Sequence, residues 1–407
     1  MKILLINQSA VSLDEPGHTG HIEMAKYLRD DGHDMVIIAG DSNYQTGLRT
    51  VRQKGIFVEQ RIEGVRVLRA YSAETLHRSY FWRVISFVSF TLSSIWAALQ
   101  VKDVDLVMGT TPHIFQAISA WFVAFVRRKP FFLEVRDLWP EFAISMGIIK
   151  NRVIIRLSYW LERFLYARAT HILVNSPAYK EYIVNKGVSA KKITFIPYGT
   201  NINMFNPGID GSSVRERLGL NKKFMVLYAG TIGQAHDLYT VLRAAKRLEN
   251  ETHIQFVFFG DGKERPNLEA EAQRLGLKNV LFAGVCPKKE IPTVIAAADV
   301  CLAVLQNLEM FRTTYPNKVF DYMASARPTV LVIDGVIREV IEASKGGVFV
   351  EPENDELLAK AILTLSRDSQ RVKQMGENAR AYLVQNLNRR DKLAETLQLL
   401  ESVFHEN

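Results

Sequence analysis

Short apolar runs alternate with helix-length amphipathic segments along almost the whole chain, and this alternation constrains the fold more than any other feature. Near-continuous apolar runs read as strands covered on both faces, and the segments between them are long enough to be the helices that cover them. In the first half the runs are KILLIN (2–7), DMVIIAG (34–40), VDLVMGT (104–110), PFFLEV (130–135), HILVNS (171–176) and ITFIPYG (193–199). A hairpin, FVEQRIEGVRVLRA, is predicted to turn at Glu63 and Gly64. After a stretch rich in Asn, Gly, Pro and Ser the alternation resumes with FMVLYAG (224–230), IQFVFFG (254–260), NVLFAG (279–284), VCLAVL (300–305), PTVLVI (328–333) and GVFVEP (347–352). Between the first two of these, Leu238, Val241, Leu242, Ala245 and Leu248 share one helical face. The last segments, 355–385 and 389–404, read as helical.

A chain of 407 residues exceeds one ordinary hydrophobic core. The expected organisation is a doubly wound parallel-sheet domain over 1–200, a linker over 201–223, and a second such domain over 224–385. A C-terminal helix, 386–407, is expected to pack back on the first domain. Open parallel sheets bind ligands beyond the carboxyl ends of their strands, and two such domains would face each other across a ligand-binding cleft.

Charge narrows the partners. The net +8 resides in residues 1–206, while residues 207–407 are neutral overall. A basic first domain favours an anionic partner such as a phospholipid surface, or is an ordinarily solvated surface. No arginine-aromatic ribbon, zinc finger or other reader motif points to nucleic acid. Two cysteines, Cys286 and Cys301, without metal-type spacing suggest a reducing compartment. The N-terminal apolar run is too short for a signal peptide, so the chain is placed in the cytoplasm. Residues 84–101 have about the length of a membrane span, but their Ser and Thr residues favour a buried helix, with interfacial attachment as the second reading.

Three loops of the second domain are expected to converge. Gly230, Thr231 and Gly233 form a turn leading into a helix, whose free N–H groups suit phosphate. Gly260 and Gly262 end the next strand. In FRTTYPNKVFDYMA, Pro316 opens a helix with Thr314 or Tyr315 as cap, and Lys318, Asp321 and Ser325 form a polar stripe. A carboxylate there can accept two ribose hydroxyls, and Lys318 can neutralise phosphate; an ordinary surface Lys318–Asp321 pair is the competing reading. Glycine turns needed only for packing compete with the phosphate reading as well.

The motifs GTIGQAHDL, FFGDGKE, AAADVCLAVL and the Asp321-Tyr-Met-Ala segment resemble the donor domain of family 4 glycosyltransferases, which have the two-domain GT-B fold. LEVRDLWPE, GHTGHIEMAKYLRDDGHDM and PYGTNINMF match the first domain of the same family, and the whole is similar to its WbuB-like O-antigen, capsule and exopolysaccharide subgroup. The resemblance implies retaining transfer from a UDP-sugar co-substrate, with no obligatory metal or other cofactor. It also implies a lipid-linked saccharide acceptor, for which a basic domain suggests a peripheral position on the anionic inner face of the membrane. Asp321 falls on the final acidic position of the family's E-x7-E element, implying ribose contact, while Thr313 replaces its first glutamate. The Arg and Lys that many members carry after the first donor-domain strand are absent, and Arg312 and Lys318 are expected to replace them at the diphosphate. Arg136 and Asp137 fall on a sugar-binding element, Asp137 for hydroxyls and Arg136 for charge, or else form a buried pair holding the loop. His18 and His21 could approach the diphosphate or acceptor, although either is more often structural. Two other readings stand: a GT-B UDP-N-acetylhexosamine 2-epimerase, and a non-catalytic nucleotide-binding scaffold. No G-x-G-x-x-G fingerprint or Walker loop is present.

Overall fold

The computed structural model describes residues 1–407 apart from 13, 16–18, 44–48, 52–54, 74–79, 113 and 406–407, and for residues 80, 81 and 83 the backbone alone. The chain divides into two compact units, Met1–Pro197 with Lys392–Asn407, and Tyr198–Asp391.

The first unit is built on an eight-stranded sheet. Its strands are β1 (Lys2–Ile6), β2 (Asp34–Gly40), β3 (Phe57–Ile62), β4 (Val65–Ala70), β5 (Leu106–Thr110), β6 (Phe131–Val135), β7 (His171–Val174) and β8 (Ile193–Phe195). They lie in the order β3-β4-β2-β1-β5-β6-β7-β8. All neighbours are parallel except the hairpin β3–β4, which turns through Glu63 and Gly64 at φ 50° and 83°. Two consecutive positive φ values match the tight turn that follows strand twist, which is why Gly occupies the second.

Side chains alternate across the sheet. Ile3, Leu5, Ile37, Val67 and Met108 face a cluster with Ile22, Ala25 and Leu28 of helix Gly20–Asp30. Leu397, Leu400 and Val403 of the last helix, Arg389–His405, complete that cluster, so the chain ends by returning to the first unit's core. The other sheet face is covered by helices Tyr80–Leu99, Ile114–Arg127 and Arg152–Arg168. Gly109 lets the second of these come close: a Cβ there would lie 2.7 Å from the Ala120 methyl.

The helix within 84–101 departs from the buried reading. Phe90, Ala97 and Ala98 are sealed against the core, but Val88, Leu92 and Trp96 on the opposite ridge are exposed. Hydrophobicity on all sides reads as full burial in one dimension; here only half of it has a protein partner.

The second unit has six parallel strands, β9 (Phe224–Ala229), β10 (Ile254–Phe259), β11 (Val280–Gly284), β12 (Val300–Val304), β13 (Thr329–Val332) and β14 (Gly347–Phe349). Their order, β11-β10-β9-β12-β13-β14, reverses between β9 and β12, the doubly wound arrangement whose crevice opens at that reversal. Leu238, Val241, Leu242, Ala245 and Leu248 are all buried against one face. Residues 201–223 carry their own helix, Ser212–Leu218, fastened to this unit by Arg215, which pairs with Asp299 at 2.6 Å and donates to the Ala297 carbonyl. The predicted helical segment 355–385 is two helices, Asp355–Ser366 and Ser369–Asn386, because the Asp368 side chain caps the second by accepting from the Arg371 N–H.

Leu400→Ala should remove about 3 kcal/mol from the first unit, within the range for a buried leucine. Hydrogen exchange should quicken in β1 and helix Gly20–Asp30 while β9 and β10 keep their protection.

Candidate functional site

In the second unit the loops after β9 and β10 are joined backbone to backbone. Gly230 N–H donates to the Phe259 carbonyl, Ile232 N–H to that of Asp261, and Glu264 N–H to that of Ile232. A Cβ on Gly260 would stand 1.8 Å from the Gly230 oxygen, and one on Gly262 would stand 2.2 Å from the Ile232 oxygen. These glycines are therefore required for loop packing whatever binds above them. Gly233 is different, since a Cβ there meets nothing nearer than the Thr231 methyl at 3.5 Å.

Lys318 reaches this knot from helix Asn317–Ala324. Its Nζ donates to the Tyr228 hydroxyl at 3.0 Å and lies 4.1 Å from that ring's centroid. Tyr228 in turn donates to the Thr231 carbonyl at 2.6 Å, so lysine, tyrosine and glycine loop form one relay. A Cβ on Gly230 would come within 2.7 Å of the ammonium. Among the described residues no carboxylate pairs with Lys318, and burial pushes its ammonium down to about 7. His236, edge-on to Tyr228 at 5.9 Å, is held well below the usual imidazole range, first by burial and then by Lys318. Its buried Nδ1 has no hydrogen-bond partner among the described residues.

Lys318 and Asp321 do not pair with each other. One Asp321 carboxylate oxygen accepts from the Thr200 hydroxyl at 2.9 Å, and the other from Lys288 Nζ at 2.9 Å. Lys288 also lies 4.8 Å from the Phe205 ring centroid. A ribose taking Asp321 would have to exchange with these donors. Thr200 and Lys288 carried no periodic or glycine signal of their own and were missed. Only the resemblance of the PYGTNINMF stretch pointed near Thr200.

Two local expectations are corrected. Pro316 is the N-cap residue and not the first helical one, and neither Thr314 nor Tyr315 caps the helix: the Thr314 hydroxyl donates backward to the Phe311 carbonyl at 2.8 Å. The helix after the glycine turn, Leu238–Arg247, is already capped by the Asp237 carboxylate, which accepts from the Thr240 N–H and hydroxyl. A phosphate there would meet an anion. Arg312 is exposed, and the Thr313 hydroxyl donates to the Met310 carbonyl at 2.6 Å.

In the first unit, Arg136 and Asp137 follow β6. The Thr111 hydroxyl oxygen accepts from both their N–H groups, at 3.0 and 3.3 Å, and donates to the Asp137 carbonyl, which fixes the loop. Burial raises the Asp137 carboxyl to about 6, against a smaller opposing pull from Arg136. His21 is fully buried: its Nδ1 lies 2.7 Å from the Asn7 amide nitrogen and its Nε2 2.8 Å from the Glu134 carboxylate. With the amide donating to Nδ1, the proton sits on Nε2 and is given to Glu134. Both ring nitrogens are thus engaged with buried protein groups. His18 lies outside the described residues.

Two doubly wound units, the second with interlocked glycine loops and a lysine that has no carboxylate partner at its strand reversal, define an open parallel-sheet class of protein, and similarity to known proteins resolves which. Residues 22–199 match the family described as glycosyl transferase 4-like domain, and residues 212–382 match glycosyl transferases group 1. The chain belongs to the family 4 glycosyltransferases and has the GT-B fold. WcaI of Escherichia coli (strain K12), which carries the name of a colanic acid biosynthesis glycosyl transferase, is 26% identical over 89% of this chain and 91% of its own. Among solved structures, HepE of Anabaena in complex with UDP superposes with TM-score 0.73 at 19% identity, covering 99% of this chain and 100% of HepE. Sucrose-phosphate synthase from Thermosynechococcus elongatus superposes with TM-score 0.79 at 17% identity over the full length of both.

Gly260→Ala should cost about 1–3 kcal/mol, as forced overpacking does, whereas Gly233→Ala should leave the melting temperature almost unchanged. Thermal melting of the two variants side by side checks this.

Proposed function

We propose that the protein is a retaining glycosyltransferase that moves a sugar from a UDP-sugar to a growing surface-polysaccharide acceptor carried on a polyprenyl diphosphate. The observation that carries the donor half is Lys318, a cation without a carboxylate, seated against Gly230 at the strand reversal of the second unit. A diphosphate supplies the missing counter-charge. HepE, solved with UDP and with UDP-glucose, supports a uridine nucleotide, and WcaI supports a surface-polysaccharide acceptor. In this reading Gly230, Thr231, Gly233, Gly260 and Gly262 border the diphosphate and Arg312 adds charge. Asp321 receives the ribose after releasing Thr200 or Lys288.

Asp137 accepts a sugar hydroxyl and Arg136 stabilises charge that develops on transfer. A retaining reaction without a covalent intermediate lets the leaving phosphate take the acceptor proton. A donor panel read out by released UDP, with the anomeric configuration of the product determined by NMR, tests the proposal; an inverted product would overturn its retaining part.

Two titrations give signs. Lys318 is half-charged near pH 7 in the free protein, so binding an anion above that pH requires proton uptake. UDP affinity should fall about tenfold per pH unit between 7.5 and the lysine's bound-state pKa, beyond UDP's own titration near 6. Lys318→Met should bind weakly at every pH, and calorimetry in two buffers of different ionisation enthalpy checks the proton count. For Asp137 the active form is the carboxylate, so kcat/KM should fall as pH drops below about 6. Asp137→Asn should lose about 10- to 100-fold, the loss expected for a hydrogen bond to a charged group, and should lack that acid limb.

A further inference from the structure

Three neighbouring helices of the first unit turn apolar ridges to solvent. On helix Tyr80–Leu99 the outward ridge carries Leu92 and Trp96, one turn apart; on Ile114–Arg127 it carries Phe125; on Arg152–Arg168 it carries Val153, Leu157 and Trp160. These six side chains are 54–68% exposed. The opposite side of each helix is the buried one, with Phe90 and Ala97, Ala117 and Ala124, and Ser158 and Leu165 facing inward. Each helix thus carries an apolar ridge outward as well as inward, where a surface helix places polar groups. Aromatic contacts join the ridges of the last two helices, Trp121 stacking on Phe125 at 5.8 Å and meeting Phe164 edge-on at 4.7 Å, and Phe164 stacking on Trp160 at 5.6 Å, while helix Tyr80–Leu99 packs along Ile114–Arg127. A patch of this kind marks an interaction surface.

Its charge selects the occupant. The three helices contain six arginines and one acidic residue, Glu162, which is buried and paired with Lys186. Arg152, Arg156 and Arg163 are exposed and have no ion-pair partner among the described residues. A second copy meeting this face by two-fold symmetry would set arginines against arginines with no carboxylate to offset them. A bilayer supplies what both parts of the face lack: acyl chains for the ridges, the boundary region where tryptophan partitions, and headgroup phosphates for the guanidinium groups. No helix among the described residues is long and apolar enough to cross a membrane. We infer that this three-helix face inserts into the headgroup–acyl boundary of a phospholipid bilayer, holding the protein in one leaflet by apolar burial, with the arginines adding attraction to anionic lipid. This deepens the lipid-linked acceptor reading by naming the surface. Its test uses no sugar substrate, so either can fail without the other.

Flotation with vesicles of phosphatidylcholine, with and without phosphatidylglycerol, at low and high salt, decides the matter. The full chain should bind both, more tightly with phosphatidylglycerol at low salt, and a part of the binding should survive high salt because apolar burial is not screened. Brominated acyl chains should quench its tryptophan emission. The variant L92S/L157S/W160S, altered only at exposed positions, should keep the wild-type melting temperature and lose at least about tenfold in partitioning at both salt levels. Arg156→Gln with Arg163→Gln should abolish the preference for phosphatidylglycerol while keeping the salt-resistant part. Unchanged partitioning of the apolar triple variant, or indoles untouched by brominated chains, would overturn the inference. So would a discrete dimer in solution that L157S dissociates and that ignores vesicles.

Discussion

Every strand of the second sheet runs in the same direction, and the site described above depends on that. A parallel sheet sends all its carboxyl ends to one edge, and the order reversal between β9 and β12 leaves a gap there that no crossover helix fills. Beside that gap the glycine loops after β9 and β10 fold against one another through main-chain hydrogen bonds at distances that a side chain on Gly260 or Gly262 would prevent. Helix Asn317–Ala324 then supplies Lys318 to the floor of the loop. Tyr322 on the same helix exchanges hydrogen bonds with the Ala229 main chain at the end of β9, which sets the helix position.

The charged groups of the two units divide by whether burial is answered. Asp321, buried, is answered twice, by Thr200 and Lys288; Glu134 is answered by His21, and Glu162 by Lys186 and Tyr166. Such pairs hold structure, since losing one partner leaves a buried charge exposed to low dielectric. Lys318 and Asp137 are answered poorly, and their proton affinities move toward neutrality in consequence. Perturbed groups at the carboxyl edge of a sheet are where a ligand would restore the balance. The same contrast separates the histidines: His21 is engaged at both nitrogens, whereas burial and Lys318 keep His236 neutral beside the glycine loop.

Helices Tyr80–Leu99, Ile114–Arg127 and Arg152–Arg168 show a limit of the same logic. Their inner faces satisfy the sheet, and their outer faces carry apolar ridges flanked by exposed arginines. Nothing in folding requires those outer residues, and exposing them carries a cost in water.

The sequence by itself determined the strands and their order along the chain. Strand-length apolar runs and the helical face from Leu238 to Leu248 are local patterns that hydrophobic burial enforces within a few residues. Motif resemblance placed the chain in its family and marked the Gly230 and Gly260 loops and Asp321, while helical spacing marked Lys318. What only the tertiary structure decided was direction. Lys318 and Asp321 stand three residues apart on a helix, yet one turns to Tyr228 and the other to Thr200 and Lys288, partners 90, 121 and 33 residues away. Likewise 84–101 shows its apolar composition in one dimension, but which half faces the sheet and which faces solvent is set by its packing on β2, β4 and helix Ile114–Arg127. Periodicity reports that a residue has a side; only the packing of segments distant in sequence says what lies on it.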